Sequence, residues 1–153
     1  MVRRIARLQY RLLNLMRHRK ASRVAEQPPS ASGFGALEGH RYCLLVTFRR
    51  SGKPVPTPVL FGLGDDKLYL RTDATTAKVT RLRNDSQVLV GPCNSRGKPR
   101  GPLARGVARR IPHEQDDVAY AVLKRNYTPA QRLGERMIDL LPIEMVYIEI
   151  APA

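Results

Sequence analysis

Residues 67–93, KLYLRTDATTAKVTRLRNDSQVLVGPC, set the terms on which the rest of the chain folds. Residues 68–72 read as a strand, Asp73-Ala74 as a turn, the segment holding Lys78, Arg81 and Arg83 as a short helix, and residues 87–90 as another strand. Thr75 or Thr76 is placed to cap that helix, so its first N–H groups, the hydroxyls and Lys78 could converge on one anion, with Arg81 one turn further along the same face. A solvated basic helix packed through Val79 and Leu82 is the plainer reading of the same residues, and the local pattern leaves both open.

Around this segment the chain reads mainly as strands. Residues 41–48 are rich in Tyr, Val, Thr and Phe, the composition of a mostly buried strand, and Ser51-Gly52-Lys53 supplies a turn. Residues 55–63 form its expected hairpin mate, which Pro54, Pro56 and Pro58 push toward an edge or an irregular course because they cannot donate ladder bonds. Gly64-Asp65-Asp66 turns the chain into the strand at 68–72, and GPCNSRGKPRG is a loop before a further strand at 105–111. Helices are expected over 114–124, and from Pro129 through Leu140 or Leu141, with a closing strand at 143–150. One short helix among strands, without regular alternation of strand and long helix, argues for a small antiparallel barrel rather than a doubly wound sheet. Closing the barrel would also deal with its edge strands.

Charge points to acidic partners without choosing among them. The formal net charge is +14, and residues 1–23 hold eight Lys or Arg and no acid. Residues 1–25 read as a basic amphipathic helix with Ile5, Leu8 and Leu12 on one stripe, residues 26–37 as a linker, and residues 38–153 as a single folded domain. Arg7 and Arg11 break the apolar stretch, so it is neither a signal peptide nor a membrane span; docking on the body or a partner subunit is favoured over a peripheral membrane contact. A barrel that binds nucleic acid would need an aromatic platform among basic residues, which Tyr42, Phe48 and Tyr69 do not make, so nucleic acid is not expected. Cys43 and Cys93 read as buried thiols suited to a reducing, cytoplasmic compartment.

No side-chain catalyst announces itself. GxGxxG after a first strand, GxxxxGK[ST], HExxH and CxxC are all missing, and the histidines at 18, 40 and 113 lack a metal-ligand spacing. No metal site is expected and the catalytic residue is unassigned. A cofactor enzyme tolerates this absence, because the cofactor carries the electronic chemistry while the protein grips and aims it.

The succession YCLLVTFRRSGKPVPTPVLFGLGDDKLYLRT, followed by AKVTRLRNDSQVLVGPCNSRGKP, resembles the deazaflavin-dependent branch of the pyridoxamine-phosphate-oxidase-like proteins, the F420-dependent oxidoreductases of the B type. The similarity is close over residues 38–111 and looser beyond, and it rests on three parts in order: Thr57-Pro58-Val59, Arg71-Thr72, and Lys78 with Arg81-Leu82-Arg83. It implies a split β-barrel of the FMN-binding-protein type, mainly antiparallel with flanking helices, and a homodimer with cofactor sites at the subunit interface. It also implies coenzyme F420 as the cofactor, with FMN as the alternative. By that resemblance Thr57, Pro58 and Val59 would approach the deazaflavin ring, Lys78 and Arg81 would hold the phosphate end, and Arg71, Thr72 and Leu82 would neighbour the cofactor. The implied reaction is hydride transfer to an apolar conjugated acceptor such as an enone, a quinone or a tetrapyrrole. A cofactor-carrying protein without turnover is the remaining option.

Overall fold

The computed structural model describes residues 18–153. The expected amphipathic stripe at Ile5, Leu8 and Leu12, and any membrane contact through it, lie outside the described residues. What remains of that segment is helix α1 (Arg19–Ala25), which buries Ala21 and Ala25.

Seven strands make one sheet: β1 (Tyr42–Phe48), β2 (Pro54–Leu60), β3 (Gly62–Gly64), β4 (Lys67–Asp73), β5 (Gln87–Cys93), β6 (Ala104–Arg110) and β7 (Met145–Pro152), in the order β2-β1-β5-β6-β7-β4-β3. Every pairing between them is antiparallel. Helix α2 (Ala77–Asn84) follows β4, and helices α3 (Asp116–Asn126) and α4 (Pro129–Asp139) separate β6 from β7. The curled antiparallel sheet with flanking helices is a split barrel: the order of elements argued for a small barrel, and the resemblance implied the split form.

The expected single strand over 55–63 is two strands at opposite edges of the sheet. Phe61, 1% exposed, sits at the break between them and buries its ring in the core. The chain therefore crosses from one edge to the other at that point, which curls the sheet on itself. On β2, Pro54, Pro56 and Pro58 lie opposite Phe48, Val46 and Leu44 of β1. An antiparallel strand alternates between residues that bond its neighbour and residues that face outward, so with prolines at every second position Val55, Thr57 and Val59 are left to bond β1. The outward edge then lacks N–H groups and does not recruit another strand.

Alternation along the strands sorts the core into layers. Cys43 and Leu45 of β1 face inward with Leu68, Leu70, Val88, Val90, Ile148 and Ile150, and Val79 and Leu82 of α2 close this cluster. Leu44 and Val46 face the other way, packing with Ala21 and Ala25 of α1, Leu89, Cys93 and Leu103. On the far half of the outer surface α3 covers the sheet through Ala119 and Leu123, beside Tyr127 and Tyr147. The two cysteines are free and buried on opposite faces of the sheet, as thiols rather than a disulfide.

Residues 26–37, expected as a linker, lie along the body. Ser30 and Ala31 donate their N–H groups to the Leu103 carbonyl, and Phe34 and Leu37 are buried, with Leu37 2% exposed. Gly106 of β6 makes room for this packing: a Cβ there would come 2.6 Å from Ile150 Cγ2 and 3.3 Å from Phe34 Cζ. Among the described residues no helix is long and apolar enough to cross a membrane.

Candidate anion-binding site at the start of helix α2

Three elements converge where β4 hands over to α2. Lys78 Nζ donates to Thr72 Oγ1 at 3.2 Å, and Thr72 Oγ1 lies 3.5 Å from Thr76 Oγ1. Arg81 Nε donates to Thr47 Oγ1 at 2.6 Å, tying the helix to the end of β1. The helix is pinned over this spot because Val79 and Leu82, three residues apart, bury one side while Lys78 and Arg81 flank it.

Thr76 occupies the N-cap position, as one of the two expected residues, but its hydroxyl donates to Asp73 O at 2.9 Å and no side chain caps the helix. The Asp73 carboxylate is itself held by the N–H and hydroxyl of Thr75, each at 2.7 Å. The first turn of α2 is thus without a side-chain cap, and it carries the positive end of the helix dipole.

Lys78 is the unusual group here. Burial pulls its pKa down to about 8, the neighbouring Arg81 charge adds to that, and Asp73 opposes it weakly. Among the described residues it forms no ion pair, and its one partner is a neutral hydroxyl. A half-buried ammonium whose hydrogen-bond partner is neutral is disfavoured, and an anion placed beside it would relieve that cost.

The structure brings some of the expected residues together and not others. Thr72, Lys78 and Arg81 share the cluster. Thr57 lies opposite Leu45 on β2 and Val59 opposite Cys43, so both stand on the inward face that continues from Thr47. Pro58 is on the reverse face, where its ring packs toward Leu44 and Gly97. Leu82, 9% exposed, is a core residue. Arg71 also leaves the cluster, because neighbouring residues of a strand point to opposite faces: its guanidinium pairs with Glu135 and Asp139 of α4 and lies 5.8 Å from the Tyr147 ring centroid. Burial opposes the Arg71 charge, and the hydrogen bonds it donates to the two carboxylates more than offset this, leaving its pKa raised.

Sequence reasoning missed Thr47. It is 1% exposed at the end of the inward series Cys43, Leu45, Thr47, and a polar residue closing an otherwise apolar inward register was the signal that could have found it. Cys43 lies close enough for its thiol to feel the Lys78 charge, yet burial raises its pKa well above that of an ordinary thiol, so it is no thiolate nucleophile. Among the described residues no group of three or more His, Cys, Asp or Glu could hold a metal ion.

No protein-family model and no curated protein matches the chain. Solved structures do match. A conserved hypothetical protein from Mycobacterium tuberculosis is similar at 19% identity and a TM-score of 0.58, over 82% of this chain and 86% of that one. A FAD-binding protein from Mesorhizobium loti is similar at 19% identity and a TM-score of 0.53, over 76% of this chain and 82% of that one. An F420 reductase is similar at 17% identity and a TM-score of 0.54, over 81% of this chain and 96% of that one. At these identities the likeness concerns the fold, and it agrees with the split barrel read from the sheet order and register.

Proposed function

We propose that this chain is an F420-dependent oxidoreductase that passes a hydride between the deazaflavin and an apolar conjugated acceptor such as an enone, a quinone or a tetrapyrrole. The observation that carries the reading is Lys78, a partly buried ammonium answered among the described residues only by the Thr72 hydroxyl, at an uncapped helix start with Arg81 one turn on. Among the described residues Lys78 has no ion-pair partner, and the phosphate of such a cofactor would supply one, held by charge-assisted bonds from Lys78 and Arg81 and by the Thr72 and Thr76 hydroxyls. Thr57 and Val59, on the same inward face, would lie alongside the ring. When bound, the deazaflavin supplies the hydride carrier.

The protein's own part is to bind, orient and keep water away. Its fold supports the assignment of a flavin-type cofactor, since a FAD-binding protein and an F420 reductase share it. The charge of +14 favours F420, whose phosphate is followed by glutamates, over FMN. A second copy of the chain across the outward face of β6, where Arg105, Val107 and Arg109 stand exposed in the middle of the sheet, belongs to the same reading; sedimentation should find a dimer, and a monomer would remove that part of it.

The test is turnover. Reduced F420 mixed with the protein and a panel of quinones, enones and tetrapyrroles should be oxidised in a protein-dependent way, and Lys78→Ala should weaken cofactor binding by about tenfold or more, the worth of one charged hydrogen bond. Binding without turnover on any acceptor would make the chain a cofactor carrier. Unchanged affinity in Lys78→Ala would discard the clamp.

A further inference from the structure

Helix α4 turns all but one of its large apolar side chains away from the body, Ile138 being the half-buried exception. A surface helix ordinarily turns its apolar stripe to the core. Here Glu135 and Asp139 face the body, where Arg71 takes both, and none of the helix's residues is buried. Leu133 and Met137 stand 60% and 61% exposed, and Leu140, just past the last turn, 85%. Their spacing of four and then three residues puts them on one stripe, which Leu141, 46% exposed, widens. Arg132 and Arg136 border the stripe, and Lys124 and Arg125 of α3 line the neighbouring cleft of about 500 Å³ that also includes Leu133. Both acids of the helix are held by Arg71, so this side offers cations and apolar side chains together.

We propose that this face docks on an anionic lipid bilayer, with the apolar stripe entering the interface and Lys124, Arg125, Arg132 and Arg136 meeting the headgroup phosphates. Amphipathic helices that lie in a membrane surface combine these two features. Charge selects the occupant: a second copy presenting the same face would set Arg132 and Arg136 against their own kind, whereas an anionic bilayer answers all four cations. Arg71 serves as the latch that keeps the stripe turned outward. The inference does not depend on the cofactor proposed above.

Flotation of the full chain with vesicles tests it. Binding to mixed phosphatidylglycerol–phosphatidylcholine vesicles should exceed binding to pure phosphatidylcholine by about tenfold and fall with added salt. The triple variant Leu133→Ser, Met137→Ser, Leu140→Ser and the double variant Arg132→Glu, Arg136→Glu should each lose about tenfold or more. Leu8→Ser with Leu12→Ser should leave binding intact, which separates α4 from the basic N-terminal segment. Met137→Cys carrying an environment-sensitive dye provides a second readout, since Cys43 and Cys93 are buried, and should shift to the blue with anionic vesicles alone. Wild-type flotation in both α4 variants, failure of the wild type to float with anionic vesicles, or an α4 variant that changes the oligomeric state without lipid would each overturn the proposal.

Discussion

Lys78 and Arg71 are cations seven residues apart that end in opposite electrical situations. Arg71 is paired twice and its pKa is raised, whereas Lys78 meets a hydroxyl and its pKa is drawn down to about 8 by burial. The first is a fastening, and the second, among the described residues, is a cation with no ion pair. This gives Lys78 a pH signature. An anion bound beside it raises its pKa, so binding takes up a proton wherever the free protein has lost one. Affinity for a phosphate-bearing cofactor should hold up to about pH 8 and then fall, by at most about tenfold per pH unit, until the pH passes the higher pKa of the complex. Lys78→Arg, which keeps its proton over this range, should flatten the profile. A wild-type affinity unchanged between pH 7 and pH 10 would remove Lys78 from the site. The fold itself should respond with the other sign: the lysine is harder to protonate folded than unfolded, so its contribution to stability rises with pH between about 8 and its ordinary value of 10.5.

Among the elements, α4 shows what a helix start signal reveals and what it leaves open. Pro129 at the first turn made the helix legible in the sequence, and the structure adds a capping box between Thr128 and Gln131. The pattern could not say which side faces the body, because that depends on Arg71, fifty-eight residues before the start of the helix. Arg71→Met should therefore speed hydrogen exchange across residues 129–139 while leaving the sheet protected. It should cost about 1–3 kcal/mol, less than a fully buried pair because Asp139 is 58% exposed. Equal exchange in the two proteins would refute the latch. The split between β2 and β3 was hidden for a related reason: Val59, Leu60 and Phe61 read as one apolar run, and only Gly62 hints at a break. A Cβ on Gly62 would stand 2.8 Å from the Val122 carbonyl oxygen and 3.0 Å from Leu123 Cα, so the glycine lets α3 lie against β3. Gly62→Ala should destabilise the protein by about 1–3 kcal/mol in urea melts, and a neutral result would mean that this packing is looser than the structure has it.

At the scale of the whole molecule, the sheet is where local signals and tertiary structure agree. Strand-forming composition, prolines that mark an edge and a short helix after a strand all pointed to a curled antiparallel sheet, and that sheet is present. The candidate site was legible where its residues sit on one short segment, as Thr72, Lys78 and Arg81 do. Thr47 escaped because it comes from a strand thirty-four residues before Arg81, and only the closure of the barrel brings the two together. The net charge of +14 divides into uses at this scale: Arg71 fastens a helix, Lys78 and Arg81 form the candidate anion site proposed above, and the cations around α4 flank an exposed apolar stripe. The central claim is that the α2 cluster receives the phosphate end of a deazaflavin. The most direct measurement is a parallel fluorescence titration of the full chain with F420 and with FMN, at moderate and at raised salt. The account predicts saturable F420 binding that persists at moderate salt beside weak FMN binding; saturable FMN binding with no F420 binding, or binding of neither, would contradict it.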